Sequence, residues 1–322
     1  MALLTPLSIA DARRLGAELG LDVAAIEPLT AGSVNSNFAL RTADGARYFA
    51  RLYEEQGREG ALAELSLVRA LSGLGVPVVE SLPRQDTAGV GDFEGKPFAV
   101  FPWVDGEIVC QGRVTEDACH KLGAALARVH LATPRVVRPS EGRFRIDDLR
   151  ERLQRVEAGQ HRAYFADVAR IRERLSYYEQ ARRRLSPARG VIHSDLFRDN
   201  VLWREGELVA LLDFESVCEG PFAYDVMVTV SAWCFGSAFE PKLVEALLAG
   251  YHRLRPITAD EREALKVEGA IGCLRFATTR ITDFSLRTPA GQAPVRDYRR
   301  FLGRLDAIEG GAIDGCFERA LG

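Results

Sequence analysis

Between Gly190 and Phe214 the chain reads GVIHSDLFRDNVLWREGELVALLDF, a stretch that leaves few ways to fold. The apolar runs VLW and LVALL are too short for helices. They flank Glu205-Gly206, a pair suited to a tight turn, so they predict a two-stranded hairpin whose ends return to one side. The segment ahead of the hairpin sets His193, Asp195 and Asn200 in an H-x-D-x-x-x-x-N loop, and the segment after it places Asp213 before Phe214. Asp and Asn also favour turns for local hydrogen-bonding reasons, which accounts for either half alone. It does not account for both halves at this separation with apolar flanks. The hairpin therefore predicts three oxygen-bearing side chains delivered to one place.

Those three suit phosphoryl transfer. The reaction leaves a protein little covalent work; it needs a carboxylate to receive the acceptor hydroxyl proton and hard oxygen ligands to hold Mg²⁺ against nucleotide phosphates. Asp195 fits the first role. Asn200 can turn an amide oxygen toward the metal, and Asp213, at the end of an apolar strand, supplies a charged ligand. With Asp195 as the base, His193 is read as a hydrogen-bonding group that shapes the loop. The expected cofactors are ATP and Mg²⁺.

At 322 residues, with 47% hydrophobic and 27% charged side chains, the chain has the size and composition of a globular protein with two cores. Its net charge of −3 gives no global attraction to nucleic acid or anionic lipid, so an anionic ligand must be met by a local site. No uninterrupted apolar run approaches the roughly 20 residues of a membrane span. The N-terminal MALLTPLSIADARRLG lacks a basic stretch ahead of an apolar core. The expectation is a cytoplasmic protein, monomer or homodimer, with a small-molecule substrate and neither nucleic-acid nor membrane partners. Cys110, Cys119, Cys218, Cys234, Cys273 and Cys316 form no C-x-x-C pair and are expected to be buried thiols.

Residues 7–20 have the spacing of an amphipathic helix with Ser8 as N-cap. The runs IEPLT, SNFALRT and RYFARLY then predict an antiparallel sheet. Residues 58–73 predict a helix ending at Gly73 or Gly75, and PVVESLP and KPFAVFPWV two further strands. Beyond Gly106 the pattern is mainly helical: 115–131, about 146–185, 222–235, 239–254, 259–284 and 293–308. This predicts an α+β, bilobal fold, with a small N-terminal lobe of sheet and helix over 1–104 and a larger, mainly helical lobe over 105–322.

The catalytic segment, FPWVDGE and the helix-rich second half resemble the aminoglycoside phosphotransferase-like kinases, a small-molecule branch of the protein-kinase-like fold. Within that group GSVNSNF at 32–38, VIHSDLFRDNV at 191–201, GPFAYDV at 220–226, AWC at 232–234 and LRFATTRITDF at 274–284 are similar to the homoserine kinases. The resemblance covers about residues 25–305. It implies an ATP-dependent kinase acting on homoserine or a similar alcohol. Other readings are a kinase of the same fold for choline, ethanolamine, hydroxylysine, methylthioribose or an aminoglycoside, and a catalytically silent nucleotide-binding protein. An aminoglycoside acceptor would call for a strongly acidic pocket, and the second half shows no such cluster.

The resemblance also assigns candidate site residues. The turn at Ala31–Phe38 occupies the place of a phosphate-covering loop but holds one glycine, so Gly32 backbone and the Ser33 and Ser36 hydroxyls are the expected cradle. The family's strand lysine is missing, since the only lysines are Lys96, Lys121, Lys242 and Lys266. Arg51 stands in its place with Glu64 on the following helix. The pair either bridges phosphate and carboxylate or is an outward-facing arginine beside a solvated glutamate. Adenine is expected against the backbone of Phe101 to Trp103. Acceptor candidates are Arg198, Glu215, Arg275, Arg280 and Asp283. Arg280 and Asp283 share a helix face and either meet substrate or pair with each other. Arg275 either meets substrate or pairs with an acid such as Asp225. Trp233 and Phe276 are assigned to the core.

Overall fold

The computed structural model describes residues 5–29, 34–84, 89–140, 142–288 and 296–322. The chain divides into two compact units, Met1–Glu107 with Val209–Glu215, and Ile108–Leu208 with Ser216–Gly322. A single boundary near residue 104 does not anticipate the return of 209–215 to the first unit. The return is made by backbone: Val78 bridges Leu211 in parallel, and Leu211 N–H donates to Pro77 O at 2.7 Å.

In the first unit, strands β1 (Val23–Leu29), β2 (Ser36–Thr42), β3 (Arg47–Leu52), β4 (Gly91–Phe93) and β5 (Lys96–Pro102) form an antiparallel sheet in the order β1-β2-β3-β5-β4. Alternation along these strands gives the sheet two apolar faces. Phe38, Leu40, Ala50, Leu52, Phe98 and Val100 pack with Ala12 and Leu15 of helix α1 (Ile9–Ala17), which Ser8 and Asp11 cap reciprocally. Tyr53 and Ala99 pack on the other side with Ala61 and Leu65 of helix α2 (Arg58–Gly73). The expected strand PVVESLP is absent apart from the Val78 bridge; Pro77 and Pro83 remove the donors a ladder needs. The short β4 was not expected.

The second unit contains α3 (Glu116–Ala132), α4 (Ile146–Ala158), α5 (Phe165–Arg182), β6 (Arg189–Ile192), β7 (Val201–Arg204), β8 (Glu207–Leu211, shared with the first unit), β9 (Cys218–Pro221), α6 (Phe222–Trp233), α7 (Pro241–Leu254), α8 (Ala259–Asp283), α9 (Arg299–Glu309) and α10 (Asp314–Leu321). The helix expected over 146–185 is two helices. Gly159 ends the first, Gln160 turns with φ +56°, and a 3₁₀ turn at Arg162–Tyr164 leads into the second. Residues 296–298 are not helical, so α9 starts later than the periodicity predicts, and α10 was not anticipated. Every residue of α6 is buried. Helices α3 and α7 approach through two glycines: a Cβ on Gly123 would run into Leu247 O, and one on Gly250 into His120 O. Among the described residues no helix is long and apolar enough to cross a membrane. The cysteines are free thiols; Cys119, Cys234, Cys273 and Cys316 are buried, whereas Cys218 is half-buried and Cys110 exposed, against the expectation that all six are core.

Candidate active site

The site residues of the first unit gather on the α2 face of the sheet. Ala50 and Leu52 point to the α1 core, so the pleat turns Arg51 the other way, toward Glu64 of α2. Arg51 Nη1 lies 3.9 Å from Glu64 Oε1 and 3.6 Å from Asp213 Oδ1. The side chains of Arg51 and Glu64 are 14% and 6% exposed, which excludes the outward-facing, solvated alternative. Burial pulls the Arg51 guanidinium down, but Asp213, Tyr53 and Glu64 outweigh it and hold the pKa above the ordinary value. Burial pushes Glu64 up to about 8, with Arg51 opposing, because at this separation the pair is too loose to offset desolvation.

Around this pair the polar atoms are under-satisfied. Arg51 Nε, Glu64 Oε2, Tyr53 Oη and Asp213 Oδ1 are all buried without a hydrogen-bond partner. Native proteins leave few such atoms, and four within one unit's charged cluster mark a place where a polar ligand completes the bonding. Asp213 also sits at φ +62°, a left-handed conformation unusual for a non-glycine residue, immediately before the buried Phe214. An arginine cation beside a carboxylate with a spare oxygen is a donor set suited to a phosphate and its hard cation.

Of the other nucleotide candidates, Gly32 and Ser33 lie outside the described residues. Ser36 is buried; its hydroxyl donates to Glu54 Oε1 at 2.5 Å and accepts from Thr5 N–H, and Glu54 is also paired with Lys96. Phe101 pairs in register with Phe49 across β5 and β3. Trp103 N–H is spent on Arg47 O at 3.2 Å, and its indole lies under the Arg47 guanidinium at 3.9 Å while donating to Asp105. Trp103 therefore does not offer its N–H to an adenine edge, a correction to the sequence expectation; a ladder bond takes it. Glu215 accepts from Asn35 Nδ2 at 2.8 Å, and Asn35 Oδ1 accepts Glu54 N–H at 3.2 Å, which ties the carboxylate to the loop ahead of β2.

In the second unit, β6 runs into the loop that carries Asp195. Ser194 takes φ +62°, and buried Asp225 of α6 holds it there: Asp225 accepts the N–H groups of His193 and Ser194, each at 2.7 Å, and His130 Nε2 at 3.0 Å. Burial opposes ionisation of Asp225, but the bonds from His130 and the loop N–H outweigh it and keep its pKa below the usual carboxylate range. Burial holds His130 below its ordinary pKa, so the neutral ring donates from Nε2 to Asp225 and accepts Tyr251 Oη–H at Nδ1, 2.6 Å away. The imidazole of His193 is fully buried, and its Nδ1 accepts Asp195 N–H at 3.3 Å. Asn200 Nδ2 donates to Asp195 O at 2.8 Å, so the loop bond uses the amide nitrogen and not the amide oxygen. Trp233 Nε1 donates to Leu196 O at 3.0 Å. Four side chains thus bond one short loop, with His130 behind Asp225.

The side chain of Asp195 is 30% exposed and ion-paired with Arg275, whose Nη1 lies 3.2 Å from Asp195 Oδ1 and donates to Ser194 O at 2.9 Å. Arg275 does not pair with Asp225 as an alternative had it; helix α8 carries it to Asp195 instead. At 4% side-chain exposure Arg275 is buried behind Asp195. Arg280 and Asp283 do not pair with each other. Asp283 is held by Arg152 at 2.6 Å and does not offer a spare carboxylate, and Arg280 donates to Asp297 O at 3.2 Å over the ring of Phe301. Arg198 donates to Gln111 Oε1 at 2.5 Å and to Ala232 O. Sequence reasoning missed His130 and Asn35, whose partners Asp225 and Glu215 lie 95 and 180 residues away.

The phosphotransferase enzyme family (APH) matches residues 25–263. The chain is 30% identical to a homoserine kinase of Methylocella silvestris, covering 96% of both chains, and 35% identical to one of Methylobacterium radiotolerans, covering 85% of both. Among solved structures, spectinomycin phosphotransferase in complex with ADP and spectinomycin superposes with a TM-score of 0.68 at 14% identity, over 97% of this chain and 100% of that one; this likeness shows the fold. With a family match across most of its length and relatives of at least 30% identity from end to end, the chain belongs to the phosphotransferase enzyme family.

Proposed function

We propose that this phosphotransferase, which uses an alcohol as acceptor, moves the γ-phosphate of ATP onto the side-chain hydroxyl of L-homoserine with Mg²⁺, as a cytoplasmic enzyme of amino-acid biosynthesis. The observation that carries the reading is the Asp195 loop: a partly exposed carboxylate, fixed on a clamped backbone, where a hydroxyl can be deprotonated. The choice of homoserine is supported by relatives of that name along most of the chain.

Asp195 accepts the hydroxyl proton as the acceptor oxygen bonds to phosphorus and the bond to the ADP oxygen breaks. Arg275 holds one Asp195 oxygen and so fixes the orientation of the carboxylate toward the acceptor. Arg51 donates to the nucleotide phosphates, in the role a lysine fills in other kinases, with Glu64 behind it. Asn200 and Asp213 would hold Mg²⁺, which when bound would neutralise charge on the transferring phosphate. The fit is that of a metal arriving with its nucleotide: both groups are oxygen donors, and among the described residues no three His, Cys, Asp or Glu side chains form a cage of their own.

A coupled ADP-release assay tests this with homoserine against choline, ethanolamine, methylthioribose, hydroxylysine and an aminoglycoside panel. Homoserine turnover well above the others is expected. Turnover of another alcohol with none of homoserine would remove the assignment.

A further inference from the structure

Phe197, Phe276 and Phe301 form an aromatic slab two residues past the catalytic aspartate. Phe276 and Phe301 stack at 4.9 Å, and Phe197 meets Phe276 edge-on at 4.8 Å. Arg275, bonded to Asp195, lies 3.9 Å over Phe276 at one end. At the other end Arg280 and Arg304 lie over Phe301, at 4.4 and 4.7 Å.

These terminal arginines are bonded differently from the arginines that the fold pairs with acids. Arg150, Arg152, Arg172, Arg182 and Arg319 are all paired with carboxylates. Arg280 is bonded to Asp297 O, Arg304 to Ser231 O and Arg300 O, and Arg198 to Gln111 and Ala232 O. Among the described residues no carboxylate reaches ion-pair distance of Arg198, Arg280, Arg300 or Arg304. Only Arg296, at the edge, has one, Asp199 at 3.4 Å. The acids nearest this cluster are engaged by other arginines: Asp199 pairs with Arg296 and Asp195 with Arg275. Burial and the like charges of Arg296, Arg304 and Arg300 pull the Arg280 guanidinium well below its ordinary range, while burial and Arg300 do the same, less strongly, to Arg198. Half-buried cations held by carbonyls and ring faces are an unfinished electrostatic arrangement that an anion completes.

We infer that Arg280, backed by Arg304 and Arg198, grips the carboxylate of the acceptor, so that the site selects hydroxy acids over cationic alcohols. The inference rests on the small-alcohol kinase reading and assigns its specificity. The guanidinium fork matches a carboxylate in two parallel bonds. Arg280 sits five residues along α8 from Arg275, which bonds Asp195, a helix rise of about 7.5 Å that leaves room for the carbon chain between a gripped carboxylate and the reacting hydroxyl. Arg275, bonded to Asp195 itself, is not part of the grip.

The test compares kcat/KM for alcohols matched with and without the carboxylate: homoserine against 3-amino-1-propanol, and 4-hydroxybutyrate against 1-propanol. The wild-type enzyme is expected to prefer the carboxylate member. In Arg280→Gln that preference should shrink by about 10- to 100-fold, mostly through KM, with partial recovery in Arg280→Lys. Arg198→Gln, which leaves the Phe301 contacts intact, should show a smaller loss of the same selective kind. Equal loss on both members of a pair, or a wild-type preference for the carboxylate-free alcohols, would overturn the inference. Rejection of homoserine together with Arg280-dependent turnover of another hydroxy acid would remove the homoserine assignment and leave the carboxylate grip standing.

Discussion

Substituting Asp225 by Asn probes the support beneath the catalytic loop. The change keeps the shape of the side chain but removes its charge and turns one of two acceptor oxygens into a donor. In the wild type one oxygen accepts Ser194 N–H and the other accepts His193 N–H and His130 Nε2, all at 2.7–3.0 Å in a fully buried setting. The amide oxygen can serve one side only, at most the two donors that meet Oδ2, and its –NH₂ then opposes the donor on the other side. Breaking a buried charged network on one side costs about 3–5 kcal/mol. For a unit of this size that corresponds to a fall in Tm of about 6–20 °C. Ser194, held at φ +62°, loses the bond that keeps it there, so Asp195 is released from its aim and kcat should fall at least ~10-fold.

The pH dependence supplies an independent sign. The folded pKa of Asp225 is depressed, so its stabilisation is complete above the unfolded carboxylate value of about 3.9 and is lost as pH falls through the lower folded value. The Tm gap between wild type and Asp225→Asn should thus be flat from about pH 7 to 8 and close in strong acid. His130, kept neutral by burial, adds a loss of wild-type stability that sets in as pH falls below about 6.5. Differential scanning fluorimetry across pH, with steady-state kinetics at pH 7, reads both. A Tm within ~2 °C of wild type together with kcat within about twofold would refute the reasoning, whose magnitudes come from these bonds.

Asp195→Asn should cut kcat by about 10²–10⁴-fold while nucleotide affinity, followed by fluorescent-nucleotide displacement, stays within about threefold, since the base acts on the acceptor. Arg51→Met should weaken nucleotide binding by about 10- to 100-fold, with Arg51→Lys recovering part; unchanged affinity in the Met variant would contradict the phosphate role. Removing Mg²⁺ with a chelator should abolish turnover yet leave the Tm of the nucleotide-free protein unchanged, because the described residues form no metal cage; a lower Tm would point to a structural ion. Gly123→Ala places a methyl against Leu247 O and within 2.9 Å of Tyr251 N, both backbone, so α3 and α7 must part. A stability loss of about 1–3 kcal/mol or more is expected in urea unfolding, and a neutral result would mean the helices are not packed at that glycine.

What the sequence determines here is short-range. Turn chemistry at Glu205-Gly206, both with positive φ, separates β7 from β8, and the H-x-D-x-x-x-x-N spacing fixes which side chains the loop before them carries. Strand alternation alone turns Arg51 away from Ala50 and Leu52 and toward the helix bearing Glu64. Periodicity overreached where propensity was even, as in the helix expected over 146–185, because it does not register a left-handed break such as Gln160.

The tertiary structure decided the partners. Arg275 lies 80 residues from Asp195 and His130 lies 95 from Asp225, and no local pattern distinguishes these pairs from the other arginines, histidines and acids of an evenly charged chain. Which of them meet depends on how α3, α6 and α8 pack, and that is set by apolar volume and by close approaches such as Gly123 and Gly250, not by the polar residues themselves. For the same reason the arginines around Phe301 are scattered charges in the sequence and become a single positive cluster only when α8 and α9 bring Arg280 and Arg304 onto one ring.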